Sequence, residues 1–272
     1  MRTAAIVVTY NPTPSLLYQN IKAFVRHVDC ILIQRNSLEA FEYLTEWEDK
    51  IVYLGDGQNE YIAKPLNMAI EYCLRNNYDY LLTMDQDSLW IDFCDFMLSV
   101  SKFGSRDVAI YAPNCNKQFT DKSILYHDIE WVIQSGMLID VHIAKRLGGF
   151  REDYKIYGVD EEYCYWIRMN GYKTRVFTNC ELRQNFGNIT KTVFGFETLN
   201  YSPVVRYFLI RNMIWMKREF RDSTTTRRIC AVLFYNVRGI LLGETNKVNK
   251  IYMLMKGVID GLFMPIRKCR LS

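Results

Sequence analysis

Apolar and polar positions fall into alternating blocks over the first ninety or so residues. Residues 4–9 form a continuous run rich in Ala, Ile and Val, as a strand buried on both faces of a parallel sheet requires. Thr13-Pro14-Ser15 reads as a helix start with proline in the first turn, and residues 16–25 carry apolar groups at helical spacing. Residues 30–33 and Ile51–Leu54 predict the second and third strands. Residues 62–76 predict a helix and residues 80–84 a fourth strand. Four strands with intervening helices make a βαβ series and a mostly parallel sheet, an α/β fold.

The rhythm changes after about residue 105. Short strands are expected at 108–111, 130–134 and Met137–Asp140, helices at Val141–Leu147 and 161–170, and a strand at 174–177. From Ser202 the pattern is helical, over 203–220, 224–242 and 247–262. The expected division is therefore an α/β body over residues 1–195 and a helical extension over 196–272. No internal repeat or low-complexity segment interrupts either part.

Composition narrows the class. A chain of 272 residues with 49% apolar and 24% charged positions can bury a core without disulfide or metal staples. No apolar run is long enough to span a bilayer. The first one breaks at Thr9-Tyr10-Asn11, too early for a signal peptide. The eight cysteines form no CxxC pair, which predicts reduced core thiols and a cytoplasmic protein. Charge is unevenly placed: residues 200–272 hold 14 Lys/Arg against 4 Asp/Glu, a balance of +10, while the preceding 199 residues carry −6. An anionic partner for the extension, nucleic acid or an anionic membrane surface, is weighed equally with a merely solvated basic face.

Two acidic clusters are candidates for chemistry. Asp85-Gln86-Asp87 follows the fourth apolar strand, at the carboxyl edge where parallel sheets bind ligands. Carboxylates two residues apart can share one Mn2+ or Mg2+, which in turn holds a diphosphate. Asp160-Glu161-Glu162 opens an expected helix, where acids either offset the helix dipole or supply a general base. Thr9, Tyr10 and Asn11 end the first strand and suit either a nucleoside or a helix cap. Asn59, Ala63 and Asn67 lie on one face at the next helix start. Phosphate-loop glycines and a nucleophile elbow are both absent, and the three histidines share no metal spacing.

In order along the chain, Ile6-Val7-Val8-Thr9-Tyr10-Asn11-Pro12, Asn59-Glu60-Tyr61-Ile62-Ala63, Leu82-Thr83-Met84-Asp85-Gln86-Asp87, Ser135-Gly136-Met137, Gly148-Gly149-Phe150 and Asp160-Glu161-Glu162 resemble family-2 glycosyltransferases. Ser202-Pro203-Val204-Val205-Arg206-Tyr207-Phe208 and Arg211-Asn212 resemble the bacterial rhamnosyltransferase branch. The resemblance implies a GT-A fold and an inverting, metal-dependent transfer from a dTDP- or UDP-sugar to a glycan or lipid-linked acceptor. By position it makes Asp85 and Asp87 the Mn2+ or Mg2+ site, with Asp85 also on the donor, and Asp160 the base. Thr9, Tyr10, Asn11, Asn59 and Asn67 become donor-binding, and Glu161, Glu162 and Gln184 supporting. The chain departs from the family pattern at Gln34-Arg35, where an Asp is usual, and at Tyr61, where a Gly is usual. It departs again at Trp166, for an Arg, and at Gln184, for a His. A nucleotidyltransferase and a non-catalytic sugar-binding protein are the alternatives. Nucleic-acid binding is remote, since no such motif occurs.

Overall fold

β1 (Thr3–Thr9), buried along its whole length, is the spine of a parallel quartet. It pairs in parallel with β2 (Cys30–Arg35) on one side, and β3 (Ile51–Leu54) continues the sheet beyond β2. On its other side lies β4 (Tyr80–Asp85), also parallel. The order 3-2-1-4 creates a switch point between β1 and β4, where successive crossovers leave in opposite directions and a crevice opens at the carboxyl ends. The connections include α1 (Pro14–Phe24), with Pro14 in its first turn, and α2 (Ala63–Arg75).

The computed structural model describes residues 1–184, 190–192, 195–266 and 270. They divide into two units, one of Met1–Glu152, Val159–Asn185 and Arg270–Ser272, the other of Asp153–Gly158 and Phe186–Cys269.

In the first unit the sheet grows to nine strands by adding β5 (Leu89–Trp90), β6 (Val108–Cys115), β7 (Tyr126–Ile129), β8 (Met137–Asp140) and β9 (Lys173–Arg183). β6 and β9 run parallel, whereas β8 is antiparallel to β4 and β6, and β5 and β7 are antiparallel to β9. α3 (Phe93–Phe103), a helix outside the sequence-based expectation, packs with α1 on one sheet face. There Leu17, Ile21, Phe24, Phe93, Phe96 and Val100 meet Val7, Ile33, Leu82 and Met84. The strand period of two leaves Ala4, Ile6 and Leu81 for the opposite face, where α2 lies against β1 and β4. α4 (Val141–Leu147) and α5 (Val159–Met169) complete the unit.

Two expectations are corrected. Residues 130–134 are not a strand, because β7 pairs with β9 only from Tyr126↔Phe177 to Ile129↔Thr174, and β9 begins at Lys173. Past Ile129 the backbone has no partner strand among the described residues. Nor are the thiols all core groups: Cys30, Cys73, Cys164 and Cys180 are buried, but Cys94 and Cys230 are exposed on helices.

The second unit contains β10 (Thr190–Lys191), β11 (Glu197–Thr198), α6 (Pro203–Glu219), α7 (Thr226–Gly243) and α8 (Lys247–Phe263). Ser202 Oγ accepts from Val205 N and Pro203 fills the first turn, which fixes where α6 starts. α8 packs closely on α6 through Gly257 and Gly261. A Cβ on Gly257 would sit 2.6 Å from Tyr207 O, and one on Gly261 would sit 3.0 Å from Ile214. Buried between the helices, Arg206 Nη2 donates to both carboxylate oxygens of Glu244 at 2.6 Å, and Lys250 Nζ donates to Glu244 Oε2 at 2.8 Å. Burial alone would raise the Glu244 pKa, but the bonds from Lys250, Thr198 and Arg206 outweigh it and hold the carboxyl below its usual value.

Candidate active site

Strand register explains which side chains converge at the switch point. Thr83 of β4 lies opposite Met137 of β8, so residues 134–135 pass beside the β4 carboxyl end. Asp85 N donates to Ser135 Oγ at 3.1 Å, and Gln134 N donates to Asp160 Oδ2 at 3.3 Å. One dipeptide thus ties together the two acidic clusters, 75 positions apart in sequence. Gly136 makes the turn possible: its φ is +88°, and a Cβ there would meet Pro113 at 2.9 Å.

The second anchor comes from β9. Leu89↔Arg183 and Cys115↔Leu182 bring Ser88 and Asn116 alongside Gln184. Asn116 Nδ2 donates to Gln184 O at 3.0 Å and Gln184 N returns a bond to Asn116 Oδ1 at 3.0 Å. With its backbone held, Gln184 Nε2 donates to Asp85 Oδ2 at 2.8 Å, and its Oε1 accepts from Ser88 Oγ. Ser88 and Ser135 are in turn bonded at 2.6 Å. Asp85 is thereby oriented from both sides. The residues that follow Gln184, 185–189, lie outside the described residues.

Burial sets the electrostatics. Asp85 is pushed up to about 7 by desolvation first and then by the negative charge of Asp87, with Gln184 opposing and Asp160 adding a smaller push. Asp160 is raised to about 6 by desolvation, which the backbone N–H of Glu161 at 2.9 Å partly offsets. Desolvation also raises Asp87. Three acids with reluctantly carried charge in one crevice suit a site that receives a cation and a proton.

Other expected site residues take distinct places. Tyr10 is exposed at the mouth, its N–H donating to Gln86 Oε1 at 2.8 Å while Gln86 Nε2 donates to its carbonyl at 3.1 Å. The middle residue of Asp-Gln-Asp therefore splices the ends of β1 and β4. Thr9 Oγ1 is buried and donates to Gln34 O at 2.9 Å, while Asn11, at φ +45°, donates its N–H to Ser37 Oγ. Asn59 precedes α2 instead of lying on it, and its Oδ1 accepts from Tyr61 N at 2.9 Å. Tyr61 itself adopts φ +61°, the conformation for which a glycine is usual, with its carbonyl held by Asn36 Nδ2 at 2.8 Å. Asn67 is fully committed away from the acids: it pairs with Phe150 N and O at 2.8 and 2.9 Å and donates to Glu152.

Around α5 the acids divide. Glu162 is fully buried and ion-paired to Arg270, whose guanidinium also lies over the Trp166 ring at 4.6 Å and donates to Gly149 O at 2.8 Å. An arginine from the chain end therefore stands over the position at which the family pattern has one. Arg168 instead pairs with Glu130 at the surface. Arg35 donates to Gly55 O at 2.8 Å and lines a cavity of about 290 Å3 with Glu39, Phe41, Glu48 and Tyr53. Asn20 and Asn116 were not singled out by sequence, and Ser88 and Ser135 stood there only within or beside motif segments, with no role assigned. Asn20 Nδ2 donates to Asp85 O at 2.6 Å from inside α1, and only the fold reveals that reach.

No family model matches the chain. A dTDP-rhamnosyl transferase, RfbF, of Shigella flexneri is 24% identical over 282 residues, spanning 95% of this chain and 93% of its own. Over nearly its whole length the chain is thus similar to a rhamnosyltransferase, which supports glycosyltransferase function. Its fold is GT-A, matching solved structures of that class at low identity. GalNAc-T7 with UDP, GalNAc and Mn2+ superposes with a TM-score of 0.62 at 12% identity over 97% of this chain. This chain spans only 56% of that longer one. The mannosyltransferase PcManGT from Pyrobaculum calidifontis, in complex with GDP-Man and Mn2+, gives 0.59 at 14% identity over 95% of this chain and 73% of its own.

In the second unit the Arg211-Asn212 pair acquires a structural meaning. Asn212 Nδ2 donates to the carbonyls of Tyr154, Ile156 and Tyr157 at 3.0, 3.1 and 2.7 Å, and Arg211 donates to Asp153 O. These two residues hold the segment that leads in sequence to α5 and Asp160.

Proposed function

We propose that this glycosyltransferase moves rhamnose from dTDP-rhamnose to a hydroxyl of a growing surface polysaccharide or lipid-linked glycan, by one inverting, cation-assisted displacement. The observation that carries the reading is the convergence of Asp85, Asp87 and Asp160 at the β1/β4 switch point, with the RfbF relative supplying the donor.

Among the described residues no three His, Cys, Asp or Glu gather closely enough to cage an ion. Asp85 and Asp87 nonetheless fit Mg2+ or Mn2+, which commonly take one or two carboxylates and complete their shell with substrate phosphates and water. The raised Asp85 pKa is the signature of two desolvated acids lacking a counter-charge. When bound, the cation would stabilise the charge that develops on the leaving diphosphate.

Asp160 carries the proton step. Its orientation is fixed by Gln134 N and Glu161 N, and a value of about 6 leaves it ionised at neutral pH yet basic enough to accept a proton. The acceptor hydroxyl loses its proton to Asp160 as its oxygen bonds to the anomeric carbon. The bond from that carbon to the phosphate oxygen breaks, its electron pair leaves on the nucleoside diphosphate, and the anomeric configuration inverts. Thr9, Tyr10, Asn11 and Asn59 shape the nucleoside side of the crevice. Asn67 contributes by positioning Phe150 and Glu152.

A product assay tests this. Purified enzyme is incubated with dTDP-rhamnose, UDP-sugars or GDP-mannose, Mn2+ and a panel of glycan acceptors, and product anomers are read by NMR. Inverted rhamnoside formed from dTDP-rhamnose is expected. A retained anomer, or transfer from UDP- or GDP-sugars alone, contradicts the reading.

A further inference from the structure

The basic character of residues 200–272 suggests charges in solvent and apolar faces packed inward, but much of the arrangement is inverted. Arg206, Arg211 and Lys250 are buried, and Arg218 donates to Gly261 O and Met264 O. The outer face of α8 is instead apolar. Val248, Tyr252, Met255, Ile259, Leu262 and Phe263 are all exposed, Val248 by 86% and Phe263 by 78%. At 100° per residue they share one arc of about 100° along a helix about 25 Å long. The opposite arc, Lys250, Leu254, Gly257 and Gly261, is the buried one. A stripe of this size and continuity is uncommon on a surface without a partner.

We infer that the outer face of α8 is a membrane-docking surface that lies in the headgroup region of an anionic bilayer. Its own charges argue for lipid over a second copy. Lys247 and Lys256 are exposed on either side of the stripe, and neighbouring α7 exposes Phe234 and Leu241 together with Arg227 and Arg238. The unit to which α8 belongs holds 15 Lys/Arg against 6 Asp/Glu, a balance of +9. Two such faces would bring like charges together, whereas an anionic leaflet satisfies the stripe and its cationic border at once. Among the described residues no helix is long and apolar enough to cross a membrane, so α8 lies on the surface and does not span it. Gly257 and Gly261 let it pack closely on α6 from behind, leaving the apolar arc outward.

The test is flotation of the full chain with vesicles of phosphatidylcholine, alone or with about 30 mol% phosphatidylglycerol. The protein should float with the anionic vesicles, and a fraction should stay bound in high salt because the stripe is apolar. Tyr252→Glu/Ile259→Glu should reduce binding at least about tenfold while circular dichroism and the melting midpoint hold, since both side chains are exposed. Lys247→Gln/Lys256→Gln should weaken only the anionic-lipid preference. The inference is overturned if the wild type ignores both vesicles, or if the double glutamate variant floats equally well. It is also overturned if light scattering shows a dimer that this variant converts to monomer, which would assign the face to a second copy.

Discussion

Gln184 Nε2 lies 2.8 Å from Asp85 Oδ2 and donates to it, while Asn116 clamps the Gln184 backbone and Ser88 holds the other end of the amide. An amide stands where the family pattern has a histidine, and it takes a different job. It orients the Asp85 carboxylate and lowers its proton affinity.

Gln184→Leu should therefore raise the Asp85 pKa further and weaken Mn2+ binding about tenfold, the scale on which residues supporting a metal ligand act. Electron paramagnetic resonance of free Mn2+ measures this directly. Gln184→Asn, too short to span Ser88 and Asp85, should resemble the leucine variant. Unchanged Mn2+ affinity in both would remove Gln184 from the site.

The raised carboxyl values have a stability consequence. Asp85, at about 7 against an ordinary 3.8, and Asp160, at about 6, disfavour their ionised forms in the folded chain. The unfolded chain releases these protons earlier, so cation-free protein should lose stability as pH rises from about 4 through 7. Asp85→Asn, which can still accept from Gln184, should stabilise the cation-free protein at pH 8 by on the order of 1–3 kcal/mol. Urea melts without and with Mn2+ check it. The account requires Mn2+ to stabilise the wild type and not the variant.

For Asp160 the expectation is kinetic. Asp160→Asn should lower turnover by about 10²–10⁴ with little change in donor affinity. Wild-type turnover should fall as pH drops below about 6 and the base becomes protonated, an acid limb absent from the variant's residual rate. Glu162→Gln should instead act on stability, because its partner is Arg270. A much larger loss of turnover at Glu162 than at Asp160 would reverse the assignment.

Asn67→Ala should cost about 2–3 kcal/mol, because both backbone groups of Phe150 lose a buried partner. Donor affinity, read by calorimetry, should fall far less than in Asp85→Asn. A purely binding phenotype with unchanged stability would return Asn67 to the nucleotide.

The parallel quartet was legible because its strands are apolar runs and α1 has a marked start at Thr13-Pro14, whereas α3 carried no such signal and went unforeseen. The three terminal helices were legible for the same reason as the quartet. β7 was misplaced because edge strands are chosen by their partner, here β9, and not by a local pattern. Asp85, Asp87 and Asp160 stood out as acids beside apolar segments. Asn116 and Asn20 did not, and Ser135 stood only in a motif without a role, since what places all three at Asp85 is strand register and the reach of α1. The apolar face of α8 was visible as periodicity, yet sequence alone could not say which arc of the helix faced inward.

Calorimetric titration of dTDP into the wild type, Asp85→Asn and Asp87→Asn, each with and without Mn2+, tests the central claim most directly. Binding to the wild type should require Mn2+ and should be lost in both variants while their folds persist. Equal affinity in all three proteins, with or without the cation, would contradict the assignment of this crevice as the donor site.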